Sequence, residues 1–272
     1  MNKDYCFQNK QKGLSIVELM IALTLSLILL AGVIQVFLST RQTYQTNEVI
    51  SRMQENGRFA LDFMTRSVRL GGYLDPSSAL SKPAGIEGGC TVRTNDIAND
   101  IPQCTVNGVG TASDTLAVAY QVPEDPTDNN KRRDCAGKEL TGTNIEKVLV
   151  NVFFVEEGSL KCSSYLKGNG SFSWFSQKQS LVNGIDNIQI LYGLSGGTDS
   201  VKQYVSADRI EKTGNWSDIK TVRIAVLANS GTPSQPAAPQ RDYYLLDSPP
   251  VSPNDGYVRQ IFTTTVQLKN TY

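Results

Sequence analysis

Apolar residues form an almost unbroken run near the start of the chain, from Leu14 to Leu38. The run has 25 residues, and its only charged side chain is Glu18. As an α-helix rising about 1.5 Å per residue it would be about 37 Å long, whereas the hydrocarbon core of a bilayer is about 30 Å thick. The pattern therefore predicts one membrane-spanning helix.

Three lysines precede this run, at Lys3, Lys10 and Lys12. Because basic residues favour the cytoplasmic side, they predict a cytoplasmic N-terminus and place the chain after Leu38 outside. A secretory signal peptide fits less well, since its apolar core is only about 7–15 residues long and "LSTRQ" offers no small-residue cleavage site. A plain anchor leaves Glu18 unexplained, because burying a charge there costs on the order of 3 kcal/mol.

Beyond the span, apolar residues recur mostly three or four positions apart, which is the period of an amphipathic helix. These residues are Ile50, Met53, Ala60, Leu61, Met64 and Val68. The glycine pair Gly71–Gly72 then supplies a helix-stop signal, so the sequence predicts one helix over Leu14–Leu70, about 85 Å long. Gly32 and Gly57 are either weak points of about 1 kcal/mol each or places of close packing.

After Gly72 the chain changes in character, because glycine, asparagine, aspartate and serine dominate as far as Asp114. This composition predicts an irregular loop. Six segments with strand signals follow, at 114–122, 146–156, 158–166, 185–194, 219–228 and 257–270. The second and third form a predicted hairpin with Gly158 in its turn, and a proline-rich excursion separates the last two. The pattern predicts an α+β fold, with the long helix packed on a mostly antiparallel β-sheet.

Charge and composition exclude several classes of function. Lysine plus arginine and aspartate plus glutamate both number 26, so no basic excess indicates nucleic-acid binding. Histidine, the commonest general base and metal ligand, is absent. No phosphate-loop, dinucleotide-binding or nucleophile-elbow motif occurs. We therefore expect neither an enzyme nor a cofactor site.

Two acidic clusters and one basic run are interpreted as solvent-exposed segments rather than as binding sites. The clusters Asn95–Asp100 and Asp125–Asn130 could in principle bind calcium, but neither has the spacing of an EF-hand. We interpret both as solvated loops. The basic run Lys131–Asp134 is interpreted as solvent-facing.

Five cysteines divide into one before the apolar run, Cys6, and four after it. An even set outside the cytoplasm predicts two disulfides, and four cysteines allow three pairings. We favour Cys90–Cys104 and Cys135–Cys162, because short loops close more readily than crossed ones. Cys6 is expected to stay unpaired.

The segment "KGLSIVEL" resembles the class III leader of type IV prepilins, in which a short polar leader ends in glycine and glutamate is the fifth mature residue. The resemblance implies cleavage by a prepilin peptidase between Gly13 and Leu14, and N-methylation of the new Leu14 amine. It also gives Glu18 a role in assembly, because its carboxylate can pair with the Leu14 ammonium of a neighbouring subunit. Leucine stands here where the family most often has phenylalanine.

Three later segments, "LVNGIDNIQILYGL", "VRIAVLANS" and "RQIFTTTVQLKN", resemble in their order the PilW group of minor pilins. The resemblance implies a leader at residues 1–13, a membrane and fibre-core half-helix at 14–38 and an amphipathic half-helix at 39–70. Residues 71–272 would form a β-rich domain that is periplasmic and later lies on the fibre surface. Together with the leader and the helix, these segments extend the resemblance over about half of the chain.

The implied function is that of a minor pilin that helps to initiate or cap a type IV pilus, which serves attachment, twitching motility and DNA uptake. Its implied partners are other minor pilins, the major pilin, the prepilin peptidase, the inner-membrane assembly platform and a tip adhesin. Before assembly it would cross the inner membrane once, with no direct nucleic-acid contact. The alternative is a J-type pseudopilin of type II secretion. A membrane-anchored hydrolase would need a catalytic constellation that the sequence does not offer.

Overall fold

The computed structural model describes residues 13, 15–89, 104–168, 172–197, 200–214, 216–234 and 237–270. The helices are α1 (Ile16–Leu70) and α2 (Ala207–Thr213). The strands are β1 (Leu116–Tyr120), β2 (Val148–Glu156), β3 (Ser159–Lys167), β4 (Phe172–Asn183), β5 (Ile185–Leu194), β6 (Gln203–Val205), β7 (Ile219–Pro233) and β8 (Tyr257–Gln267). Residue contacts divide the chain into two compact units, Met1–Asn47 and Glu48–Tyr272.

Helix α1 agrees with the predicted helix and ends at Leu70. Gly72 follows with a φ of 80°, a left-handed conformation that only glycine adopts readily and that stops the helix. Leu14, the predicted first residue, lies outside the described residues. In the second unit the buried residues of α1 are three or four positions apart, as one face of a helix requires. They are Met53, Gly57, Ala60, Met64, Ser67 and Val68.

Gly57 is a place of close packing between α1 and β8. The ring of Phe262 occupies the space of a side chain at this position, and a Cβ there would lie 2.8 Å from Phe262 Cγ. At Gly32, by contrast, a Cβ would have no atom within 4 Å. The packing interpretation therefore holds for Gly57.

The first sheet has the order β1-β2-β3-β4, and every neighbouring pair is antiparallel. The predicted β2–β3 hairpin is confirmed, with Glu156 opposite Ser159. Its two turn residues, Glu157 and Gly158, have φ values of 53° and 68°. Two positive φ values give the turn a twist that matches the right-handed twist of the strands.

The second sheet has the order β6-β5-β7-β8 and is also antiparallel throughout. Strands β7 and β8 pair without a shift over nine residues, from Thr221 opposite Gln267 to Asn229 opposite Arg259. The largest buried cluster joins α1 to both sheets, with Met64 of α1, Phe153 of β2 and Ile190 of β5 among its members. The α+β architecture predicted from the sequence is confirmed.

The structure also adds elements that the sequence analysis missed. It contains two four-stranded sheets among its described residues, where the pattern indicated a mostly antiparallel sheet without dividing it. Strand β4 was missed because "FSWFSQKQSLVN" lacks regular alternation, and its pairing with β3 contains three register shifts. Strand β6 and helix α2, with three and seven residues, are too short to carry a periodic signal.

The described parts of the predicted loop after Gly72, residues 73–89 and 104–113, are irregular, and the first of them is bonded along the outer edge of β1. The Gly72 N–H donates to the Ala119 carbonyl at 3.0 Å, and the Ala119 N–H donates to the Gly85 carbonyl at 2.9 Å. A third bond runs from the Glu87 N–H to the Ala117 carbonyl at 2.9 Å. The loop therefore covers one edge of the first sheet.

Candidate assembly site

The N-terminal end of α1 places Glu18 in the first helical turn. The first described bond of this helix runs from the Leu19 N–H to the Ser15 carbonyl, at 3.1 Å. The first N–H groups of a helix lack intrahelical acceptors and carry the positive end of the helix dipole, so a carboxylate is favoured there. Gly13 is exposed, while Leu14 lies outside the described residues.

The first unit presents a continuous apolar surface. From Ile16 to Leu38 the large apolar side chains are between 49% and 80% exposed. Within the described part of the chain, α1 is the one helix long and apolar enough to cross a membrane, with a mean hydropathy of 2.5 in its most apolar window. Soluble proteins rarely expose an apolar patch of this extent unless it binds another surface or lipid.

Two hydroxyl groups inside the apolar run, those of Thr24 and Ser26, are bonded within the helix itself. Thr24 Oγ1 donates to the Ile21 carbonyl at 2.9 Å, and Ser26 Oγ donates to the Ala22 carbonyl at 2.7 Å. An unbonded polar group in hydrocarbon costs several kcal/mol, so internal bonding makes these side chains compatible with lipid. Glu18 is the one charged side chain of the span, so it has the greatest need of a partner in lipid.

In the second unit a buried polar network connects β1, β2 and β3. Asn151 Nδ2 donates to Tyr120 Oη at 2.7 Å, and Ser164 Oγ donates to Asn151 Oδ1 at 2.8 Å. Burial raises the pKa of Tyr120 to about 12, although hydrogen bonds with Ser67 and Asn151 oppose the rise. Because each buried group has a partner, the network stabilises a specific packing of the strands.

The structure contains a disulfide between Cys135 and Cys162, the second pairing favoured from the sequence. It joins the segment before β2 to the buried strand β3, and the two Cα atoms are 6.2 Å apart. Cys104 is buried and also disulfide-bonded. Its expected partner Cys90 and the leader residue Cys6 lie outside the described residues.

Asp114 is a buried carboxyl group that the sequence analysis used only as a segment boundary. Its Oδ1 accepts the Gly108 N–H and its Oδ2 accepts the Ile190 N–H, both at 2.7 Å. Burial raises its pKa to about 7, and the charges of Asp247 and Asp208 act in the same direction. The group fastens an irregular segment to β5, and no sequence motif distinguishes it from other loop aspartates.

Arg259 of β8 forms a second polar cluster that no sequence pattern indicated. Its side chain is only 6% exposed, and it bonds Asp186 Oδ2 at 2.5 Å and both oxygens of Asp255 at 2.5 and 2.7 Å. The hydrogen bonds from Arg259 lower the pKa of Asp255 to about 2. This cluster lines an open polar cleft of about 490 Å³ and holds the start of β8 to β5.

The candidate cation and nucleic-acid sites have structural explanations where they are described. In the cluster Asp125–Asn130, Asp125 Oδ1 accepts the N–H and hydroxyl of Thr127, which is an ordinary turn. In the basic run Lys131–Asp134, each basic residue pairs with an acid of the same region. Among the described residues no group of three or more histidine, cysteine, aspartate or glutamate side chains could hold a metal. The cluster Asn95–Asp100 lies outside them.

Comparison with known proteins identifies two families in this chain. The family described as Type IV Pilus-assembly protein W matches residues 147–270, and the Prokaryotic N-terminal methylation motif matches residues 8–34. No curated protein sequence matches the chain. Among solved structures, a type IV-like pilin from Thermus thermophilus is similar, with a TM-score of 0.48 and 18% identity, over 81% of this chain and 97% of that chain.

Proposed function

Because the chain belongs to the PilW family of type IV pilus minor pilins, we propose that it helps to initiate or cap the pilus, entering the fibre through the first half of α1. Members of this family work with other pilus components, and the leader motif connects the chain to a prepilin peptidase. The family is one of structural proteins, and we propose that this chain has no catalytic activity.

The main support for the proposal is Glu18, the single carboxylate of an exposed apolar helix that follows the leader glycine Gly13. A charge in such a helix is costly in lipid unless it gains a partner. Cleavage after Gly13 would create a cation at Leu14, and the amine of a neighbouring subunit could then neutralise Glu18. The pairing would offset desolvation and set the axial position of one subunit against the next.

The proposed topology follows from the same segment. The lysines at Lys3, Lys10 and Lys12 would keep the leader in the cytoplasm, and the second unit would face the periplasm. The disulfide Cys135–Cys162 is compatible with that compartment, because disulfides persist where the surroundings are oxidising. The chain would thus be a membrane protein before assembly and a fibre component after it.

A J-type pseudopilin of a type II secretion system is the second candidate, since it would use the same leader and helix. A deletion strain separates the two functions. We expect fewer surface pili and reduced twitching, both restored by the wild-type gene, with normal export of folded enzymes. Loss of enzyme export with normal piliation would favour the pseudopilin, and loss of neither would contradict both.

A further inference from the structure

The second sheet has β8 as one of its two edge strands. Exposed sheet edges offer unpaired backbone groups, and proteins usually protect them with charges, bulges, short strands or covering loops. Three of the four edges in the described structure have such protection. The loop after Gly72 bonds along β1, and β6 is only three residues long. The β4 edge has register shifts, and the Phe175 carbonyl accepts Lys138 Nζ at 2.5 Å.

In the part of the chain that the structure describes, the β8 edge has none of these protections. Over Gln260–Val266 the sequence "QIFTTTV" has no charge and no proline, and its pairing with β7 is free of bulges. The one charged residue of the strand, Arg259, is buried in its ion pairs with Asp186 and Asp255. No other strand lies beyond β8 among the described residues.

The alternation of hydrogen bonds between β7 and β8 shows which backbone groups of β8 point away from β7. The Leu268 N–H donates to the Lys220 carbonyl at 2.9 Å, directly after the β7–β8 ladder. In an antiparallel pair alternate residues bond to the partner strand, so Thr264 bonds to β7 while Thr263 and Thr265 direct their backbone N–H and C=O groups outward. The side chains of these two threonines are exposed.

Strand direction limits what can bind there. Helix α1 and β8 run in the same direction, because Gly57 lies against Phe262 and Gly71 lies against Leu268. Neighbouring subunits that enter one fibre by their N-terminal helices have these helices in the same direction. An antiparallel pair of two β8 strands would point the two helices oppositely, so a second copy cannot add its β8 in the more stable antiparallel arrangement.

We propose that the β8 edge binds an extended, uncharged edge strand of a different pilin subunit, in antiparallel orientation. The inference rests on the proposed function, since it assumes that both subunits are anchored side by side. The strand's backbone groups would supply the affinity, and the absence of charge on β8 selects an uncharged partner. Such a contact extends the second sheet across the boundary between two subunits.

Photo-crosslinking in the piliated host tests this with the full-length protein. A benzoylphenylalanine residue replaces Thr263, and in a control protein it replaces Tyr244, which is 68% exposed. We expect an adduct at position 263 whose peptide maps to a strand of another pilin, and none at position 244. No adduct, an adduct only with a second copy, a non-pilin adduct, or equal labelling at both positions would overturn the proposal.

Matched variants test the role of the backbone, with the photoreactive residue now at Thr265. Thr263→Pro removes an outward N–H without breaking the ladder to β7, and Thr263→Lys adds an edge charge without altering the backbone. We expect each to reduce the adduct about tenfold, the effect of one or two lost hydrogen bonds, while Thr263→Val keeps it. An unchanged adduct in Thr263→Lys overturns the proposal even if the proline variant folds poorly. If the protein is present in pili but forms no adduct, only the proposed edge contact is refuted. If the adduct forms but the protein is absent from pili, the proposed function is refuted.

Discussion

Replacing Asp114 by asparagine should change how stability depends on pH. The folded-state pKa is about 7 and the ordinary value is 3.8, with burial as the main cause. A folded pKa raised above the unfolded value gives stability that is fully present below about pH 4 and is lost as pH rises through about 7. The asparagine variant has no such titration.

The magnitude follows from the size of the shift. At about 1.4 kcal/mol per pKa unit, the difference between about 7 and 3.8 corresponds to about 4 kcal/mol as an upper bound. Asparagine has one oxygen for the two N–H donors of Gly108 and Ile190, so Asp114→Asn should cost about 1–3 kcal/mol at low pH. As the pH rises, the wild type should lose this advantage and become equal or less stable.

Urea unfolding of the purified mature protein in detergent, followed from pH 4 to pH 8, measures the effect. The readout is the difference in unfolding free energy between wild type and variant. The contributions of the other titrating groups cancel in this difference, because both proteins contain them. Asp247→Asn is a control, because it removes a charge that raises the Asp114 pKa and should shift the same transition slightly to lower pH. The opposite result would be a wild type that becomes more stable relative to Asp114→Asn as pH rises. It would show that the hydrogen bonds from the two backbone N–H groups outweigh the cost of burying the charged carboxylate.

Three further predictions concern the disulfide, the glycines and the assembly carboxylate. Replacing Cys135 and Cys162 together by alanine should lower the free energy of unfolding by about 3–4 kcal/mol, because they close a loop with a sequence separation of 27; an unchanged urea midpoint would contradict this. Gly57→Ala should destabilise by about 1–3 kcal/mol because it overpacks a buried contact, whereas the matched Gly32→Ala should be neutral or slightly stabilising; equal effects in thermal melts would refute the packing argument. Glu18→Ala should leave the second unit as stable as in wild type but reduce the amount recovered in sheared pili; normal recovery would contradict the assembly role.

Local patterns predicted the helix and the leader well, and long-range pairing much less well. The apolar run from Leu14 and the three- and four-residue spacing through Met64 are both local features of the chain, and neither needs a partner segment to be recognised. Strand β4 gave no such signal, because its polar sequence is held in place by β3 rather than by its own pattern. The division into two sheets likewise depends on which strands pair, and a single sequence does not encode this as a local period.

The disulfide and the buried charged groups of the second unit show the same contrast between local and long-range signals. The preferred pairing of Cys135 with Cys162 could be argued from loop lengths along the chain. The buried state of Asp114 and the ion pairs of Arg259 depend on segments about 70 residues apart that meet only in the folded protein. Neither residue lies in a motif, so burial alone distinguishes them from solvated charges.

Intact-mass analysis of the mature protein, with sequencing of its N-terminal peptide, tests the central claim most directly. The account predicts a chain that begins at Leu14, carries one methyl group on its amine and lacks residues 1–13 with Cys6. A mature protein that keeps Gly13, or that begins anywhere else, would contradict processing as a prepilin and with it the proposed entry into the fibre.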